Sequence, residues 1–316
     1  MKKPFDFGRS SLSRRNLLKG LGVGALGAGA GLYGTARAHN QASAPVPGIL
    51  GLERTQIGEV EITVIKDTAL ELPSSALAVN APEGAVAELL GRYNLPTETV
   101  AASANVLLLR SGGELTLIDT GNGGNLLQTL EAINVAPADI SHVVLTHWHG
   151  DHVTGVSTDG ALNFPNAAHH FPRRDWEFLG ANAASDENIQ GSLTTLTPAD
   201  EAGVLELYDG DGEILPGLAG VPAYGHTPGH HGLLLGSGDT QLMMMADTAN
   251  NPLVSLLHPE LAFGFDGDAA QATETRRALY GRAAAEGLQV FAYHFGFPGF
   301  GYVTREGEGF RFTATL

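Results

Sequence analysis

Residues 143–152 read Val-Val-Leu-Thr-His-Trp-His-Gly-Asp-His (VVLTHWHGDH), and this stretch decides the fold. Val143 to Leu145 make a short buried strand. Four side chains able to bind a metal follow within six residues: His147, His149, Asp151 and His152. In an extended segment, residues two apart project to the same side, so His147 and His149 can grip one ion. Asp151 and His152 are adjacent and point apart, which suits a second ion or a turn into a helix, and Gly150 lets the chain bend there. Burying even an uncharged polar group without a partner costs roughly 2–7 kcal/mol, and a charge costs more. Four such groups at the end of a buried strand therefore call for a cation.

Three further places supply the same chemistry. Tyr224 to His231 reads YGHTPGHH, Met243 to Thr248 reads MMMADT, and Ala292 to Gly301 reads AYHFGFPGFG. Asp247 and His294 each stand at the end of an apolar run, expected as strands over Leu242–Ala246 and Leu288–Tyr293, while His226 lies in a turn-rich stretch. Ligands on strand ends and loops can converge on one edge of a sheet. Of the other histidines, His142, His169, His170 and His258 read as structural or surface residues. His230 and His231 lie near the site, in the same stretch as His226. Trp176 reads equally as a cleft wall or a core aromatic.

The rest of the chain supplies the scaffold. Val60 to Val64 alternates in strand fashion, and Asn105–Leu109 with Leu115–Ile118 flank the turn Ser111-Gly112-Gly113 as a hairpin. Asn125 to Ile133 carries a helical apolar face. Asp268 can cap a helix that runs to about Gly287. Leu72–Thr97 and Phe171–Ala202 read as loops that shape the substrate site. Mixed hairpins with intervening helices predict an α+β arrangement of sheets covered by helices.

Composition bounds the chemistry. The 316 residues are 43% hydrophobic and 16% charged, as expected of a globular protein with a sizeable core. There is no cysteine, which excludes disulfides, thiolate nucleophiles and cysteine metal sites, while 12 histidines permit a nitrogen-and-carboxylate site. Residues 1–38 carry seven basic residues and one acidic one, so without them the net charge falls from -16 to -22. So acidic a body repels phosphate backbones and anionic membranes, and suits a small neutral or weakly charged substrate. Residues 1–38 run from a basic region through a Gly/Ala-rich apolar run to a small-residue cleavage site at Ala36 and Ala38. Arg14 and Arg15 resemble a twin-arginine export signal, which implies a periplasmic location with no stable membrane anchor once the signal is removed. Residues 39–50 read as a linker, and residues 51–316 as one domain.

The combined pattern resembles the metallo-β-lactamase superfamily. Its HxHxDH motif matches His147, His149, Asp151 and His152, and its later His, Asp and His match His226, Asp247 and His294 in order. Asp119 and Gly121, in IDTG, match a strand-end motif whose Asp supports the metal site from behind. The resemblance implies a four-layer αβ/βα sandwich. It implies one metal on His147, His149 and His226, a second on Asp151, His152 and His294, and Asp247 between them. Asp151 and Asp247 would be the carboxylates at the catalytic centre, with a bridging hydroxide as nucleophile. Two divalent ions follow, zinc first, with manganese, iron or cobalt as alternatives on the same ligands.

Within the superfamily the chain resembles the methyl parathion hydrolase-like group through FPNA (164–167), GHTPGH (225–230), the HFGFPGFG stretch (294–301) and the EGEGFRF tail (306–312). That resemblance implies hydrolysis of phosphotriesters, aryl esters or lactones, and suggests a homodimer. A quorum-quenching acyl-homoserine lactonase is the second reading; those enzymes place a Tyr where this chain has Asn250, whose amide could still donate to a developing oxyanion. A glyoxalase II-like thioesterase is a third. A metal-binding protein with little catalysis is the alternative of another class.

Overall fold

The computed structural model describes residues 51–315. The export-signal and linker readings, residues 1–38 and 39–50, lie outside the described residues. Two seven-stranded sheets carry the fold. The first holds β1 (Leu52–Ile57), β2 (Val60–Pro73), β3 (Thr99–Ser111), β4 (Glu114–Ile118) and β5 (His142–Val144). A small separate hairpin, β6 (Ser157–Thr158) with β7 (Ala161–Leu162), precedes the last two strands of that sheet, β8 (Ala168–Pro172) and β9 (Leu205–Tyr208). The second sheet runs in chain order: β10 (Glu213–Leu215), β11 (Leu218–Pro222), β12 (His231–Ser237), β13 (Thr240–Met244), β14 (Gln289–Phe291), β15 (Phe300–Glu306) and β16 (Gly309–Ala314). Helices α1 (Ala85–Arg92), α2 (Leu126–Ala132), α3 (Gly150–Val153), α4 (Arg173–Asn182), α5 (Glu187–Glu201), α6 (Val254–Leu257) and α7 (Ala269–Glu286) fill the connections.

Alternation along the strands builds the layers. Leu242 and Met244 of β13 enter the main core with Val64 and Ile65 of β2, whereas Met243 and Met245 point the other way, onto Leu279, Tyr280 and Ala283 of α7. Leu126 and Leu130 of α2, Leu179 of α4 and Leu196 of α5 pack into the core from the first sheet's side. Helices thus back both sheets, and the result is the expected αβ/βα sandwich. Each such side chain contributes on the order of 1.5–3 kcal/mol by leaving water.

Both sheets begin as antiparallel hairpins and turn parallel after a helix. Parallel pairing joins β4, β5, β8 and β9 in the first sheet, and β13 with β14 in the second. In open sheets, ligands bind beyond the carboxyl ends of parallel strands. Here those ends carry Asp119, the 145–152 loop, Asp247 and His294.

Some expected boundaries move. The strand anticipated over Leu242–Ala246 begins at Thr240 and stops at Met244, because Ala246 adopts φ 42° and turns Asp247 inward. The Leu288–Tyr293 strand shortens to Gln289–Phe291. The segments read as loops hold helices: α1 within 72–97, and α4 and α5 within 171–202. Gly191, three threonines and Pro198 make α5 a poor helix by propensity. Burial of Ile189, Leu196 and Ala199 holds it instead, with Asp186 capping the amides of Asn188 (2.7 Å) and Ile189 (3.3 Å). Helix α7 follows expectation, from the Asp268 cap to left-handed Gly287 at φ 63°.

Candidate metal centre

All seven predicted ligands converge, in two groups: His147, His149, His226 and Asp247; and Asp151, His152 and His294. In the first group His149 Nδ1 lies 3.1 Å from His147 Nε2 and 2.9 Å from His226 Nε2. Two nitrogens bound tetrahedrally to one zinc at about 2.0–2.1 Å stand roughly 3.3 Å apart, so this spacing suits a shared ion. Asp247 joins the groups. Its Oδ1 is 3.1 Å from His152 Nε2, and its Oδ2 is 3.2 Å from His226 Nε2 and 3.1 Å from His294 Nε2. Asp151 completes the second group, with Oδ2 at 3.4 Å from His294 Nε2 and 3.7 Å from His152 Nε2. Asp151 and His152 do not diverge as their adjacency suggested: α3 winds both toward the same point.

Outer hydrogen bonds fix which nitrogen of each ring faces inward. His152 Nδ1 donates to Asp119 Oδ2 (2.8 Å), His226 Nδ1 to Asp266 Oδ1 (3.1 Å) and His294 Nδ1 to the Ser103 carbonyl (3.0 Å). Their Nε2 lone pairs are thereby aimed at the centre. His152 Nε2 and Asp247 Oδ1 are buried with no hydrogen-bond partner. Imidazole nitrogens turned inward around a buried carboxylate, their outer nitrogens already engaged, are the donor set of a cation site. The residues present therefore fit a pair of divalent ions.

The electrostatics agree. Burial, with His152 beside His147 and His226 beside His149, holds both rings well below the usual histidine range. Burial also opposes charge on His152 and His294, yet the Asp247 carboxylate outweighs it and raises both. His226 is pushed up to about 9: burial works against its charge, and hydrogen bonds to Asp247 and Asp266 overcome it. Asp247 is itself held well below the carboxylate range, since His294 and His152 outweigh its burial. The centre thus demands positive charge whichever cation supplies it.

The neighbouring chain holds the ligand loops in place. Asp119, at φ 59°, also accepts from the Thr146 amide (2.8 Å). Asp67 sits at a bulge in β2 and accepts from the amides of Asn122, Gly124 and Leu126, fixing the loop after Asp119. Gly121, at φ 74°, is required there, because a Cβ would overlap the Asp67 carboxylate. Tyr293 stacks on His152 at 4.0 Å and donates to the Asp151 carbonyl (2.6 Å). His230, pushed down to about 3 by burial, is neutral, and its Nε2 accepts the Asp247 amide (3.0 Å).

Asp175, which no sequence signal marked, ties the two ligand segments together. It accepts from the Trp148 amide (3.1 Å), the Thr227 hydroxyl (2.7 Å) and the Gly229 amide (2.6 Å). Burial pushes its carboxyl up to about 7. Asp266 and Arg276 were equally silent. A lone acid or arginine gives no periodicity and joins no motif.

A cleft of about 440 Å³ opens onto the centre. Its apolar walls are Leu70, Leu72, Trp148, Ile189, Phe263 and Phe265. Asp151, with 26% of its side chain exposed, faces this cleft. Among the described residues lining it there is no lysine or arginine. Trp176 does not line it and packs against the core. Asn250 is buried away from the lining, and its amide has no hydrogen-bond partner.

A paired histidine-and-aspartate centre at the shared edge of an αβ/βα sandwich defines a class of metalloproteins. The metallo-beta-lactamase superfamily model matches residues 100–281, and the chain belongs to that family. Two solved structures superpose on most of it. One is AidC, a dizinc quorum-quenching lactonase in complex with a product, at TM-score 0.79 and 24% identity over 84% of this chain and 98% of that one. The other is the hydrolase AbOPH of the beta lactamase superfamily, at TM-score 0.79 and 27% identity over 85% and 98%. The N-acyl homoserine lactonase AttM of Azorhizobium caulinodans is 31% identical over 34% of this chain and 40% of its own length. The first curated relative matched is spanned over 60% of its length.

Proposed function

We propose that the chain is a binuclear metal-dependent hydrolase that opens ester-type bonds (phosphotriester, aryl ester or lactone) in uncharged, apolar-bodied substrates. The observation that carries this is the pair of ligand groups sharing Asp247 at the floor of an apolar cleft. Bound ions would supply hydroxide at neutral pH, since a metal lowers the pKa of water from 15.7 to about 7. His147, His149 and His226 would hold one ion, Asp151, His152 and His294 the other, with Asp247 reaching both. Zinc is the first choice for these ligands, and the similarity to AidC, a dizinc lactonase, supports it. The apolar walls would hold the substrate body, and Asp186 along the cleft would disfavour anions.

The lactonase reading keeps specific support from AidC and AttM, both described as lactonases. No lysine or arginine lines the cleft to hold an anionic carrier, so no side chain there favours the thioesterase reading. Residues 1–38 and the Arg14-Arg15 pair support export to the periplasm, and the resemblance favours a homodimer. No described helix is long and apolar enough to cross a membrane.

Purified protein is expected to carry about two metals per chain and to turn over an aryl ester, a lactone or a phosphotriester, with loss on chelation and return on adding zinc. Full metal content without turnover on all three panels would favour the binding-protein reading. Turnover that survives complete metal removal would refute the metal-dependent one.

A further inference from the structure

Asp266 stands where two parts of the site meet. Its buried carboxylate accepts from His226 Nδ1 through Oδ1 (3.1 Å) and from the Phe263 amide through Oδ2 (2.9 Å). Phe263 is a wall of the cleft, and its ring lies over His226 at 6.1 Å between centroids and 23° between planes. Behind the carboxylate, buried Arg276 of α7 donates to Asp266 Oδ2 (3.1 Å) and to the carbonyls of Leu261 (2.9 Å) and Thr248 (3.1 Å). The next links are direct as well: the Gly267 amide donates to the His226 carbonyl (3.0 Å) and the Asp268 amide to Gly225 (2.8 Å).

We propose that Asp266 is a positioning residue that couples metal loading at the three-histidine group to ordering of the Phe263–Phe265 wall. This rests on the reading of the site as a metal centre. A ligand bound through His226 Nε2 requires the ring proton on Nδ1, and a carboxylate facing Nδ1 is acceptor only, so it favours that tautomer. The same carboxylate holds the Phe263 amide, so fixing the ring fixes the start of the wall. Coupling of this kind is reciprocal: an ordered wall raises metal affinity by the same factor that metal orders the wall.

The chemistry of one substitution exposes the link. An asparagine at 266 has one oxygen and one amino group. With its oxygen toward Phe263, its amino group faces His226 Nδ1 and drives the ring proton onto the ligating nitrogen. With its oxygen toward His226, its amino group meets the Phe263 amide, donor against donor. Asp266→Asn can keep either the metal or the wall, and not both.

The test is amide exchange at Phe263 together with zinc affinity by chelator competition. In the wild-type protein, Phe263 is expected to exchange at least about tenfold more slowly with zinc than after chelation. Asp266→Asn is expected either to lose about 10–100-fold in zinc affinity, the range for an outer partner of a ligand, or to lose the Phe263 protection. His294→Asn, which strips the other group, is expected to leave that protection in place. Three results overturn the proposal: wild-type Phe263 exchange indifferent to zinc, an asparagine variant that keeps both properties, or equal loss in His294→Asn, which would assign the effect to general stabilisation. A chain that binds no metal at either group overturns the site reading as well, whereas metal binding without any change at Phe263 overturns the coupling alone.

Discussion

The two sheets follow one plan and deliver their ligands differently. In the first, β4 ends at left-handed Asp119, a helix crosses over, and β5 leads into a single loop that supplies His147, His149, Asp151 and His152. In the second, β13 ends at left-handed Ala246, a helix crosses over, and three ligands arrive from three places: His226 between β11 and β12, Asp247 after β13 and His294 after β14. A non-glycine residue held at positive φ costs on the order of 1–3 kcal/mol, and in both sheets it sits where the chain turns into the site. The difference lies in what assembles the ligands. In the first sheet the local backbone gathers them within six residues. In the second they meet only when every strand has found its register. The buttresses match this division. Asp119, at the end of the neighbouring strand β4, holds the first loop through Thr146 and His152, whereas the second half draws on α7, through Arg276 and Tyr280 on the Thr248 carbonyl, and on Ser103 of the first sheet.

Asp247 belongs to both groups, so its loss should erase the comparison. Asp247→Ala removes the carboxylate within reach of His147, His152, His226 and His294. Both ions are expected to weaken together, and turnover to fall by well over the roughly 100-fold typical of removing an outer partner. Metal analysis of the dialysed variant alongside steady-state rates checks this. One metal retained at full strength, with substantial activity, would show that the two groups do not share this carboxylate.

The same division explains what the sequence made legible. The ligands that follow β5 could be read from residues alone, since a strand followed by His-x-His-x-Asp-His needs only the two-residue period of an extended chain. His226, Asp247 and His294 could be placed at turns and strand ends, but their convergence depends on strand order, which no local pattern carries. Family likeness supplied it. Asp175, Asp266 and Asp67 left no trace, because the contacts that tie Asp175 to Thr227, Asp266 to His226 and Asp67 to Asn122 cross roughly 40 to 55 positions of chain. Helix α5 was hidden for the opposite reason: its local propensities oppose the helix that packing imposes. Trp148, not Trp176, walls the cleft, a choice set by the loop and invisible to an aromatic count.

Asp175 ties the Trp148 segment to the Thr227–Gly229 segment, so weakening it should separate the two ion groups without destroying either. Its carboxylate accepts three donors, two of them backbone amides that cannot reverse their polarity. An asparagine accepts from one amide and presents its amino group to the other. Asp175→Asn is expected to weaken the ion on His147, His149 and His226 by roughly tenfold, the low end for an outer partner, while the Asp151–His152–His294 group changes less. Stepwise chelator titration separates the two. Equal weakening of both ions would mean that the two ligand groups act as one unit, however differently the two sheets deliver their ligands.

The smallest effect concerns a histidine in the first sheet that stands apart from the cluster. His169 on β8 is fully buried; its Nδ1 lies 3.0 Å from the Ala167 carbonyl and its Nε2 has no hydrogen-bond partner. Burial pushes it from 6.5 down to about 4. The folded chain therefore keeps it neutral while the unfolded chain takes up a proton below pH 6.5. Its contribution to stability is complete above that value and is lost as pH falls toward 4, by at most roughly 3 kcal/mol. His169→Leu removes the titration while keeping an apolar volume in place. Denaturant unfolding at pH 7 and pH 4.5 is expected to show a shallower acid loss in the variant, with metal content unchanged. A fall in metal content would instead place His169 among the ligands, and the first sheet would no longer owe its share of the site to the 147–152 loop alone.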